Sequence, residues 1–204
     1  MSVKESDSRL ILGLSGASGA VYGLCLIELL AALNVAVHLV ISRAGALTLK
    51  DETGLKPEDL SPRVAKLYPP KDVGAAIASG SFKTMGMIVA PCSMRSAAEI
   101  AAGTTQSLLT RAADVVLKER RPLVLMVRET PLHLGHLRTL TALAEIGAVI
   151  APPLPAFYAK PADLNAMVQQ SCGRVLDLFG LDADGVSRWQ GLTSAAAGRA
   201  SPDQ

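Results

Sequence analysis

Between Arg9 and Tyr22 the chain reads RLILGLSGASGAVY. Leu10, Ile11, Leu12 and Leu14 form a short apolar run that meets a cluster of small residues, Ser15 to Ala20. An apolar pattern of helical period follows at once. This predicts strand, tight turn and helix, the opening unit of an α/β sheet. Small side chains let a ligand approach the backbone, and a helix N-terminus offers free N–H groups and partial positive charge, so such a turn suits a phosphate. Gly13, Gly16 and Gly19 are spaced G-x-x-G-x-x-G, not as the G-x-G-x-x-G of dinucleotide-binding turns. A strand-to-helix turn without a ligand has the same pattern, so the loop alone does not decide its role.

Alternation of strands and helices continues along the chain. Strands are expected at Leu10–Leu14, Val35–Ile41, Met87–Ala90, Leu123–Val127 and Ala148–Ile150, with an edge strand around Val64–Leu67 inside the proline-rich stretch Lys56–Pro70. Helices are expected at Ser18–Leu33, Ala44–Glu52, Ser96–Ala102, Thr105–Arg120, Pro131–Ile146 (with Thr130 as N-cap) and Asp163–Phe179, the last ended by Gly180. The pattern is one doubly wound, Rossmann-like (flavodoxin-like) α/β domain with a mostly parallel sheet over residues 9–192. A polar N-terminus (1–8) and a small-residue tail (193–204) are expected to be disordered.

Composition supports this. Half of the 204 residues are hydrophobic but only 3% are aromatic, and mean hydropathy is +0.33. Ala, Leu, Val and Ile must therefore build the core, as in a buried parallel sheet, and apolar surface left over favours subunit contacts. A net charge of +2 argues against nucleic acid or an anionic membrane as partner. No apolar run reaches membrane-spanning length, and the polar opening MSVKESDS has no signal-peptide character. Three dispersed cysteines give no disulfide framework, which makes a reducing cytoplasm the expected compartment.

Ligands of open α/β sheets bind beyond the carboxyl ends of the strands. Those ends carry Ser15–Gly19, Ser42-Arg43, Pro91–Ser96, Arg128–Pro131 and the segment PPLPAFYAKP. Together they offer hydroxyls, arginines, a carboxylate and a tyrosine, a set suited to an anion. Each has a plainer reading: Ser93 and Ser96 as caps of a helix starting near Ser96, Arg128-Glu129 as a solvated pair. Cys92 has no base beside it in sequence and reads as a small buried residue. His133 and His136 lie three apart on a helix but lack further ligands at a usual metal spacing. Arg111, Asp114 and Lys118 share a helix face, either as an ordinary i, i+4 pair or as a cationic face presented to a phosphate held by a neighbouring subunit.

GLSGASGAVYG, APCSMRS, RAADVVLKERRPLVLMVRETPLHLGHL and PPLPAFYAKP with Arg174 after it resemble the UbiX-like flavin prenyltransferases. These belong to the wider flavoprotein group that includes flavin-type cysteine decarboxylases. The resemblance covers about residues 9–190. It implies a transferase joining a dimethylallyl group from dimethylallyl phosphate to N5 and C6 of reduced FMN, without a metal. The prenylated FMN would serve a UbiD-type decarboxylase, and the assembly implied is a dodecamer with sites at subunit junctions. By position, it implies FMN-binding roles for Gly16, Ala17, Ser18, Ser42, Ser93, Met94, Arg95, Ser96 and Arg128. Tyr158 and Arg174 match prenyl-phosphate ligands. Arg111, Lys118 and Glu129 match phosphate-site and acid/base residues, Glu52 a carboxylate near the flavin, and Trp189 an aromatic over the site. Many members carry Thr where this chain has Ser96; the hydroxyl is kept.

The chemistry agrees with those residue types. Cleaving an allylic phosphate leaves negative charge on phosphate, which Arg and Lys stabilise, and a carboxylate can move the accompanying proton. FMN is expected over FAD or NAD, because Ser42-Arg43 stands after strand two where an acidic residue would hold an adenosine ribose. Two other functions stay open on the residues alone: a flavin-dependent decarboxylase or oxidoreductase acting on a separate substrate, and a non-catalytic flavin-binding subunit. The donor's phosphate count is also open, as is the role of Trp189, either an anchor for the C-terminal segment or part of a mobile cover.

Overall fold

The computed structural model describes residues 8–191. The tail at 193–204 and all but Ser8 of the N-terminal segment, both expected to be disordered, lie outside them.

Six parallel strands form one sheet in the order β3-β2-β1-β4-β5-β6. They are β1 (Arg9–Leu14), β2 (Ala36–Ile41), β3 (Lys66–Tyr68), β4 (Met87–Cys92), β5 (Leu123–Val127) and β6 (Val149–Ile150). The helices are α1 (Ala20–Ala32), α2 (Arg43–Thr53), α3 (Met94–Ala101), α4 (Leu108–Lys118), α5 (Leu134–Glu145) and α6 (Leu164–Leu176). Strands are added outward in one direction from β1 to β3 and in the other from β4 to β6, so the winding reverses between β1 and β4, which is where a doubly wound sheet opens its crevice.

Successive side chains on a strand face opposite ways. Leu10, Leu12 and Leu14 of β1 therefore join Leu39, Ile88 and Val124 in a core beneath α1 and α6. Ile11 joins Val40, Val89 and Leu125 in a second core beneath α3 and α4. Both faces are covered, so the strands read as unbroken apolar runs. Gly23 brings α1 close to the sheet: a Cβ there would lie 2.9 Å from the Ala90 carbonyl oxygen.

Where element ends differ from the sequence expectation, capping explains most of it. α1 starts at Ala20 because Gly19 takes the left-handed cap conformation, φ 110°. α4 is shorter at both ends; Ser107 and Thr110 form a reciprocal cap at its start. α5 starts at Leu134, not Pro131: the His133 ring, not Thr130, accepts from the Gly135 and His136 N–H groups. β4 runs through Pro91 to Cys92, because the ladder shifts register between Val89 and Cys92 and Pro91 owes it no N–H. α6 gives way at Asp177 to a single 3₁₀ turn that Gly180 closes. The edge strand lies at Lys66–Tyr68, two residues beyond its expected start.

Candidate active site

Three helices begin around one cavity of about 280 Å³ at the carboxyl end of the sheet. Ser42 caps α2 by accepting from Gly45 N–H at 2.9 Å. Ser93 caps α3 through Ser96 N–H at 3.2 Å, and Ser107 caps α4 through Thr110 N–H at 3.2 Å. Gly16, Arg43, Arg95, Ser96 and Gln106 line the same space. Converging N-termini with two guanidinium groups make a site for an anion. The lining carboxylate, Glu99, is already paired with Arg95 at 3.0 Å. Gly16 keeps α2 near: a Cβ on it would fall 2.4 Å from the Ala44 Cβ. Ser15 is buried, donating to the Pro91 carbonyl at 2.9 Å and accepting from Ser93 N–H at 2.7 Å, so it joins the two loops instead of facing a ligand. The Met94 side chain is likewise buried in the second core. Arg43 was among the strand-end residues singled out in the sequence, whereas Gln106 and Ser107 were not; the S-x-x-T spacing of Ser107 and Thr110 was the available signal.

Beside this cavity Glu52 closes the N-terminus of α1. Its carboxylate accepts from Gly19 N–H at 3.0 and 3.1 Å and from Ala20 N–H at 2.8 Å. Burial pushes the Glu52 carboxyl up, but hydrogen bonds from Ser18, Ala20 and Gly19 and the Arg128 charge together outweigh it and hold the carboxyl below its ordinary range. Glu52 is therefore a carboxylate at neutral pH, held at the loop read as the flavin loop. Arg128 and Glu129 follow β5, exposed, with Glu129 accepting from Thr130 N–H at 3.0 Å.

Gln170 and Arg174 line a separate cavity beside Pro152–Ala156, and Gln170 donates to the Tyr158 hydroxyl at 3.3 Å. The Tyr158 and Trp189 rings meet edge to face, centroids 5.8 Å apart. Arg174 is ion-paired with Asp177. Trp189 belongs to a segment packed on α6, whose Ala183 is buried and whose Leu181 and Val186 join the first core.

Arg111 and Lys118 are not brought to this crevice in a single chain. Arg111 pairs with Asp114 at 2.8 Å and Lys118 with Glu119 at 2.6 Å. Lys118 lies eleven residues beyond the Ser107 cap, about 16 Å along the helix axis. It sits near Gly80, by the amino end of β5, while Glu129 follows the carboxyl end. Cys92 is fully buried and its thiol is pushed up to about 12 by that burial, which removes it as a nucleophile. Among the described residues no group of three His, Cys, Asp or Glu could hold a metal ion, and no helix is long and apolar enough to cross a membrane.

The family model described as Flavoprotein matches residues 1–176. The chain is 52% identical over 186 residues to the flavin prenyltransferase UbiX of Escherichia coli K12, covering 90% of this chain and 98% of that one. AnUbiX (PadA1), solved in complex with FMN and dimethylallyl pyrophosphate, superimposes with a TM-score of 0.88 at 44% identity, covering 91% of this chain and 98% of that one. A dodecameric FMN-dependent UbiX-like decarboxylase from Escherichia coli O157:H7 gives 0.87 at 45% identity, covering 90% and 100%.

Proposed function

This chain belongs to the flavoprotein family, among the UbiX-type flavin prenyltransferases, and from that premise we propose that it joins a dimethylallyl group from dimethylallyl phosphate to N5 and C6 of reduced FMN. The observation that carries this is the convergence of three capped helix N-termini and two arginines on one cavity, beside an ionised Glu52 and the Arg128-Glu129 pair. The donor set fits a flavin monophosphate: one anion cradle, and no acidic residue after β2 for a second nucleotide. Ser42, Ser93, Ser96 and the backbone at Gly16–Ser18 and Met94 would hold it, with Arg95 and Arg128. When bound, the reduced flavin supplies the electron-rich nucleophile, so the protein needs none of its own.

What this chain contributes is charge and order. Tyr158 and Arg174 grip the donor phosphate, and Arg111 and Lys118 of a neighbouring copy stabilise it as it leaves with the bonding electrons. Glu129 moves a proton to the phosphate or from the flavin. Trp189 and the apolar walls keep water from the allyl group, which would otherwise leave as an alcohol. The working assembly is a homo-oligomer, a dodecamer by similarity, and its product serves a UbiD-type decarboxylase.

Anaerobic mixing of the protein with reduced FMN and dimethylallyl phosphate is the test. Free phosphate and a flavin heavier by one five-carbon unit are expected. Conversion of a separate substrate with unchanged flavin mass would overturn the reading in favour of a flavin-dependent decarboxylase or oxidoreductase.

A further inference from the structure

We infer that Gln170 and Asp177 are positioning residues that tie the orientation of Tyr158 and Arg174 to the seating of residues 181–189 on α6. The inference rests on the reading of Tyr158 and Arg174 as donor-phosphate ligands.

Gln170 is buried, 3% exposed. Its Oε1 accepts from Ser187 N–H at 2.8 Å and its Nε2 donates to the Ser187 carbonyl at 2.9 Å. The same Nε2 donates to the Tyr158 hydroxyl at 3.3 Å. Both amide protons are committed, so the side chain cannot turn without leaving buried polar groups unpaired. Two turns along, Asp177 receives Arg174 and both terminal nitrogens of Arg188, the latter at 2.6 and 2.8 Å. Arg188 reaches on to Asp182 at 2.6 Å. The Arg188 bonds, against burial and with help from Arg174, keep the Asp177 carboxyl below its usual range, so both arginines face an anion at neutral pH. Between the two anchors Gly173 leaves a notch: a Cβ there would fall 2.1 Å from Val186 Cγ2.

Each anchor therefore holds one residue of the segment and one proposed ligand. Gln170 joins Ser187 to Tyr158, and Asp177 joins Arg188 to Arg174. Trp189 closes the circuit by packing its ring against Tyr158. Asp177 takes Arg174 through Nη1, which leaves Nε and Nη2 for a phosphate and fixes their direction, while Arg188 on the same carboxylate keeps the segment down. Coupling of this kind is reciprocal, so lifting the segment must weaken phosphate binding.

The chain's one tryptophan reports on the segment directly. Gln170→Leu, Gly173→Val and Asp177→Asn should each shift Trp189 emission to the red and raise its quenching by acrylamide. In the same proteins KM for dimethylallyl phosphate, read by total phosphate release, should rise about tenfold with kcat within about twofold, the pattern of lost uniform binding. FMN affinity should stay unchanged, and Asp177→Glu should restore KM. Asp177 lies outside the core, so Asp177→Asn carries the test if Gln170→Leu does not fold. Unchanged emission or unchanged KM in Asp177→Asn overturns the inference, as does FMN affinity falling in step with KM. Failure of the wild type to release phosphate overturns the functional reading instead. The tie is then decided by whether titrating dimethylallyl phosphate into flavin-free protein moves Trp189 emission in wild type and not in Asp177→Asn.

Discussion

Glu52 shows how one carboxylate serves fold and site together. It supplies the cap that Gly19, lacking a side chain, cannot give α1, and its charge complements the helix dipole. Glu52→Ala should cost about 1 kcal/mol, the usual range for a lost cap. The folded pKa of Glu52 is depressed, so its contribution is fully present above the ordinary carboxylate range and fades as pH falls through the lower folded value. Melting temperature followed from pH 6 to 3 should therefore fall less steeply in the variant than in wild type. His38 carries the corresponding effect nearer neutrality. It sits buried on β2 with Nδ1 2.9 Å from the Tyr68 hydroxyl. Burial first, then the Arg9 and Lys66 charges, push its pKa down. The unfolded chain thus binds the proton more readily, and stability present above about pH 6.5 is lost as pH falls towards the folded value. Denaturant unfolding at pH 7.5 and 5.5 should show this loss in wild type and a smaller one in His38→Gln.

At the scale of elements, the approach of α1 to the sheet is set by a missing side chain. Alanine at position 23 would gain roughly 1 kcal/mol of helix propensity. Its Cβ, however, meets the Ala90 carbonyl, which is backbone and cannot swing aside as the neighbouring Leu14 side chain can. Overpacking costs about 1–3 kcal/mol, so the net effect of Gly23→Ala is destabilising. Thermal unfolding should occur several degrees lower. Unchanged or raised melting would mean that α1 shifts freely over β4. The caps at Ser42, Ser93 and Ser107 belong to the same scale, because each sets where a helix begins and so where its free N–H groups point.

Over the whole molecule, the residues proposed for the site are spread apart within one chain. Lys118 and Glu129 lie towards opposite ends of β5, which alone spans about 13 Å over four residue steps. Large apolar side chains stand exposed along α5 and the segment after β6, among them Leu134, Leu137, Leu154 and Phe157, a surface fit for burial between copies. If each site draws Lys118 and Glu129 from different copies, Lys118→Ala and Glu129→Gln proteins will be inactive alone. Unfolded together, mixed equally and reassembled, they should recover roughly a quarter of wild-type turnover, because a random share of sites then holds both native residues. No recovery, with mixed assemblies verified by mass, would place both residues in one chain's site.

β1 and its glycine-rich turn, the Ser93 cap and the apolar strands were legible in the sequence because period and local chemistry specify them without reference to anything distant, although α3 starts at Met94 and Ser96 lies inside it. So was the set of polar residues at the strand ends, since a doubly wound sheet gathers those ends on one side. Helix starts at Ala20 and Leu134 were not legible, because they depend on the backbone geometry at Gly19 and on which side chain reaches the free N–H groups. Nor was the role of Gln170, an ordinary polar residue in a helix until Ser187 and Tyr158 fold against it. Local residues determined the elements and the chemistry on offer. Only the tertiary structure decided which groups meet, because Glu52 reaches Ala20 across 32 residues and Arg188 reaches Asp177 across 11, and such distances close only when the core packs.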